Sequence, residues 1–110
     1  MFGCTIVRGY DFLAKHMEKG LDAEAVLLEY GGNDCDFRWD EVAADPYFDH
    51  LPNTVLSVYI ETYKKMVAML QERNITPIIM SLPPLDADRY FKWITRNGLS
   101  GENILKFLGD

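Results

Sequence analysis

Cysteine is scarce in this chain, with Cys4 and Cys35 the only two. There is no Cys-x-x-Cys pair and no Cys/His cluster, which excludes a structural zinc site of the usual spacing. Two cysteines make no disulfide framework either, so free thiols in a reducing cytoplasm are the expectation. Long apolar runs are also missing. Runs such as Ala25–Leu28 and Pro77–Met80 fall far short of the ~20 residues that span a membrane. The opening Met1-Phe2-Gly3-Cys4 has no charged segment leading into a long apolar one, so no secretory signal is expected. A basic stripe is absent too. Lys and Arg number 11 against 17 Asp and Glu, for a net charge of −6, and the two signs are interspersed. That excludes nucleic acid as an expected partner.

What remains is the composition of one small folded domain over residues 1–110. The chain is 48% hydrophobic and 25% charged, with six Phe, six Tyr and two Trp to build a core. Apolar periodicity divides it. Phe12, Leu13, His16 and Met17 fall on one face of a predicted helix from Gly9 to Lys19, and Gly20 stands where a left-handed residue ends it. His16 on that face reads as a packed residue rather than a base. Ala25 to Tyr30 is a short continuous apolar run that stops at Gly31-Gly32, the pattern of a fully buried parallel strand. Gly31 to Thr54 reads as a long loop with a helical turn around Trp39–Ala44.

Val55 to Arg73 carries the strongest helical signal. Val55, Leu56, Tyr59, Ile60, Tyr63, Met66, Val67 and Leu70 form one wide stripe. Asn53 or Thr54 is the expected cap, and Asn74 the left-handed terminator. Thr76 to Met80 is a second predicted strand, with Pro77 tolerated near its start. Asp86 or Asp88 opens a helix that Asn97-Gly98 ends, and Ser100 caps a last short one. Two buried strands joined by a helix form a βαβ unit, so the predicted class is α/β with a parallel sheet.

In parallel α/β sheets, ligands bind beyond the carboxyl ends of the strands. Gly31-Gly32-Asn33-Asp34 follows the first strand there, and Ser81-Leu82-Pro83-Pro84 follows the second. Gly31 and Gly32 allow a sharp turn with positive φ. Asn33 would then offer a neutral amide that donates to a developing oxyanion without titrating, and one such donor is worth ~3–4 kcal/mol of barrier. An ordinary turn would use the same residue types. Phe37 and Trp39 are candidates for a pocket wall, or for the loop's own packing. Asp34, Asp36, Asp40 and Glu41 form an acidic cluster without the spacing of a calcium loop, so no metal is assigned.

Leu27-Leu28-Glu29-Tyr30-Gly31-Gly32-Asn33-Asp34 resembles the third sequence block of the SGNH (GDSL-type) serine hydrolases, an apolar strand leading into Gly-x-Asn-Asp. Phe2-Gly3-Cys4-Thr5 resembles the second block. One short helix separates the two, as in that family, and a long helix and a strand ending in Ser-Leu-Pro-Pro follow in order. The resemblance implies a flavodoxin-like three-layer α/β/α sandwich. It also implies an acyl-transfer site in which Gly3 gives a main-chain oxyanion donor and Asn33 a side-chain donor, with Gly31, Gly32 and Asp34 as the supporting loop. A small ester or acylated substrate, hydrolysed through a serine–histidine–aspartate site without cofactor, follows from the family alone.

The family's nucleophile block, Gly-Asp-Ser, does not occur in these residues, and Gly109-Asp110 has no serine after it. Its Asp-x-x-His block does not occur either, since neither His16 nor His50 has an aspartate three positions before it. Ser57, Ser81, Ser100 and Cys35 each have a structural explanation and no evident base. The expectation is therefore a partial hydrolase domain, inactive alone, truncated at both ends. The alternatives are a hydrolase completed in trans or using another nucleophile, and a non-enzymatic binding or assembly module. The family sheet has order 2-1-3-4-5, so losing its first strand bares an edge. An edge of that kind recruits another chain, and a homo-oligomer is expected.

Overall fold

The computed structural model describes residues 4–82 and 84–109. They form α1 (Ile6–Glu18), β1 (Ala25–Leu28), α2 (Trp39–Ala44), α3 (Leu56–Glu72), β2 (Thr76–Ile79), α4 (Ala87–Ile94) and α5 (Gly101–Leu108). The class is α/β: β1 and β2 pair in parallel, with Ala25 opposite Thr76 and Leu28 opposite Ile79. The chain divides into two compact units. Of the described residues, 4–36 and 53–82 form the first, and 37–52 and 84–109 the second.

In the first unit, α1 and α3 share one buried cluster with one face of the sheet. Ile6, Leu13 and Met17 from α1 meet Leu28 of β1, Met66 and Leu70 of α3, and Ile75. Burying a side chain of this size contributes roughly 1.5–3 kcal/mol. Gly9 lies where α1 crosses Tyr30, and a Cβ there would overlap the Tyr30 ring. Arg73 Nη1 donates to Met17 O at 2.9 Å, tying the end of α3 to the end of α1. Gly20 and Asn74 take the left-handed conformation expected of helix terminators.

The strands are not fully buried. Leu28 is the only strand residue below the surface, and Leu27 keeps 64% of its area exposed. The cause is one-sided cover. Val26 and Leu28 face the helices, while Leu27 and its partner Ile78 project from the opposite face. The apolar stripe of α3 is likewise covered along only one flank. Met66 and Leu70 are buried, but Tyr59, Ile60, Tyr63 and Val67 line an open groove of about 390 Å³ with Ile79.

The second unit is helical. Val42 and Ala43 of α2 pack with Ile94 of α4 and Ile104 of α5, walled by Phe37, Trp39, Tyr90, Phe91, Leu99 and Phe107. Asn103 Nδ2 donates to Ala43 O at 2.7 Å and so anchors α5 to the end of α2. Asp86 and Ser100 cap α4 and α5 by accepting from the backbone N–H three residues on. Gly101 lets the Phe91 ring lie against the start of α5, since a Cβ there would sit 2.8 Å from Phe91 Cζ and the ring would have to shift.

Candidate functional site

The chain leaves β1 at Leu28 and turns at Gly31, whose φ is +137°. The conformation favours glycine, and a Cβ on Gly31 would also crowd Leu82 Cδ1 at 3.0 Å and the Tyr59 hydroxyl at 3.3 Å. Gly32 needs neither: its φ is not positive and nothing lies within 4 Å of a Cβ there. The expectation of positive φ at both positions is thus corrected to Gly31 alone. The turn closes with Cys35 N donating to Gly31 O at 2.8 Å.

Asp34 holds this turn in place. Its side chain is 1% exposed. Oδ1 accepts from Ile6 N, the first amide of α1, at 2.9 Å. Thr5 makes no side-chain cap bond and the first turn of α1 has no acid of its own. Asp34 therefore supplies the cap and the negative charge that a helix start favours, from 28 residues away in sequence. Its Oδ2 is buried and has no hydrogen-bond partner among the described residues.

The segment before α3 lashes the turn from another side. Asn53 N donates to Asp36 O at 2.8 Å, Thr54 N to Asp34 O at 3.0 Å, and Asn53 Nδ2 to Asn33 O at 2.9 Å. Asn53 and Thr54, expected as caps of α3, are used here instead, and α3 starts at Val55 with no side-chain cap bond. Two tyrosines of α3 complete the support. The Tyr59 hydroxyl donates to Tyr30 O at 2.8 Å, and the Tyr63 hydroxyl to Leu28 O at 3.3 Å. Burial raises both phenols above their ordinary value of 10.0. The Asp34 carboxylate adds to this at Tyr59, and Tyr59 itself adds to it at Tyr63. They stay protonated, and hence donors, well past neutral pH.

Asn33 stands on this braced turn with its side chain exposed. Its carbonyl is engaged by Asn53 and Asp36, while its amide makes no hydrogen bond among the described residues. The turn thus presents a free neutral donor at the carboxyl end of a parallel strand, which is the chemistry an oxyanion requires. Gly3, the expected main-chain donor, lies outside the described residues.

The other candidates lie elsewhere or have structural work. Phe37 and Trp39 belong to the helical unit. Phe37 stacks edge-on against Phe107 at 5.1 Å, and Trp39 Nε1 donates to the Tyr90 hydroxyl at 3.3 Å. Ser100 caps α5. His16 stacks on Phe12 at 4.6 Å, and His50 bonds Asp45 O through Nε2. Cys4 is buried and Cys35 exposed, both as free thiols. Among the described residues, no three His, Cys, Asp or Glu side chains converge to hold a metal ion. No described helix is long and apolar enough to cross a membrane. The long-range cap of α1 by Asp34 escaped sequence reasoning; an uncapped helix start paired with a distant acid was its only signal. Comparison with protein-family models, with curated protein sequences and with solved structures gives no match.

Proposed function

We propose that this chain is the central piece of an SGNH-type ester hydrolase and contributes the oxyanion-stabilising half of its site. The observation that carries the reading is the free Asn33 amide on a turn fixed by buried Asp34 at the end of β1. In such a reaction, a nucleophile from outside these residues adds to the carbonyl carbon of a small ester. The carbonyl electron pair moves onto oxygen, and Asn33 Nδ2–H donates to that oxygen, with Gly3 N–H as the second donor. Collapse of the adduct expels the alcohol, and water then releases the acid. Gly31 and Asp34 position Asn33; they touch no reacting atom.

Two features of the fold support the reading. Helices α1 and α3 share one face of the sheet, as right-handed crossovers in a sheet of order 2-1-3-4-5 require. The opposite face, with Leu27 and Ile78, is bare where a three-layer sandwich would carry its second helix layer. A reducing, cytoplasmic setting belongs to the same proposal.

Two proteins test it: the 110-residue chain, and the reading frame extended into its flanking DNA. The chain alone leaves p-nitrophenyl acetate at its buffer rate and takes no fluorophosphonate label. The extended protein gains a Gly-Asp-Ser upstream and an Asp-x-x-His downstream, and takes the label at that serine. Turnover by the 110-residue chain, or flanks lacking both blocks, overturns the reading.

A further inference from the structure

The two edges of the sheet differ. Thr76 N donates to Glu24 O at 3.0 Å and Met80 N to Leu28 O at 2.9 Å. In a parallel pair, backbone groups of alternate residues point to alternate sides. Residues 76, 78 and 80 therefore face β1, and Pro77 and Ile79 face outward. Pro77 has no N–H to give, so the outer edge of β2 is blunted. On β1, residues 24, 26 and 28 face β2, so Ala25, Leu27 and Glu29 turn their N–H and C=O groups to the open edge. All three are exposed, and their backbone groups find no backbone partner among the described residues.

This edge is complementary to itself. A two-fold axis through Leu27 runs β1 antiparallel to its copy, with Leu27 opposite Leu27, and Ala25 opposite Glu29 on either side. These are the residues whose backbone groups point outward, so each opposed pair can exchange two N–H···O bonds. The register sets no acid against an acid: Glu29 meets Ala25, and Glu24 meets Tyr30. It also joins Leu27 and Ile78, 64% and 43% exposed, into one apolar strip across both copies. Since Pro77 blunts the outer edge of β2, β1 is the one open edge among the described residues, and pairing through it closes at two.

We propose that β1 is a self-recognition edge through which two copies of this chain form a closed, two-fold dimer with a continuous four-stranded sheet. The inference rests on the open β1 edge of the 110-residue chain and not on the hydrolase reading; in an extended hydrolase the family's first strand would take that same edge, so the dimer is tested on the 110-residue chain. Light scattering coupled to size exclusion, across a wide range of concentration, is the test. The wild type gives twice the chain mass, and added salt strengthens the dimer because each copy carries a net charge of −6. Leu27→Lys places two like charges on the axis and gives the monomer. Ile79→Lys, at an equally exposed position on the other strand, leaves the dimer intact. Hydrogen exchange of the wild type gives a second readout, with the Leu27 amide protected in step with the dimer fraction. A wild type that is monomeric throughout, assemblies that grow beyond two, or a dimer indifferent to Leu27→Lys overturns the proposal.

Discussion

At the scale of single residues, the turn after β1 separates positions that look alike in sequence. Gly31 and Gly32 are adjacent glycines, yet only Gly31 has a positive φ and packed neighbours. Gly31→Ala is expected to cost about 1–3 kcal/mol from backbone strain. Gly32→Ala should stay within roughly 0.5 kcal/mol, as exposed substitutions do. Urea unfolding of both variants checks the contrast. Asp34→Ala removes a buried acceptor from the α1 start and should cost about 1–3 kcal/mol, whereas Asp34→Asn keeps an acceptor and should cost less. The Gly-x-Asn-Asp string was legible as a turn with a candidate donor. What Asp34 does was not, because its partner Ile6 is 28 positions away and local patterns carry no distance information.

At the scale of elements, α3 buttresses the site through two hydroxyls. Tyr59→Phe loses the bond to Tyr30 O and should cost about 1 kcal/mol. The phenols also set a pH dependence. Burial raises Tyr30, Tyr59 and Tyr63 above 10.0, so the folded chain holds these protons to higher pH than the unfolded chain does. Their contribution is full below pH 10 and is lost as pH rises through the folded values. Thermal midpoints measured from pH 8 to pH 11 should be flat and then fall, and the fall should be shallower in Tyr59→Phe. The cores of both strands and the body of α3 were legible because a short continuous apolar run and a period-3.6 stripe are local patterns. The start of α1 at Ile6 rather than Gly9 was not, since its cap comes from another segment.

At the scale of the whole molecule, the chain builds two cores. Within the stretch Gly31 to Thr54, read as a long loop, the helical turn expected around Trp39–Ala44 is α2, and what the sequence hid is that it shares a core with α4 and α5 from the C-terminal third. Pairing of Val42 with Ile104 spans too much sequence for periodicity to reveal. The one-sided sheet was equally hidden, because continuous apolar strands look the same whether one face or two are covered. Both tryptophans, Trp39 and Trp93, lie in the second unit, so indole fluorescence reports on that unit. Ile104 is fully buried there, and Ile104→Ala should lower the stability seen by that signal by about 2–5 kcal/mol.

The claim that Asn33 is an oxyanion donor is tested most directly by one rate comparison. In the extended reading frame, kcat for p-nitrophenyl acetate is measured for the wild type and for Asn33→Ala. The account predicts a loss on the order of 10²–10³-fold with the urea midpoint unchanged, because the exposed amide makes no hydrogen bond among the described residues. A variant that turns over as fast as the wild type would contradict it.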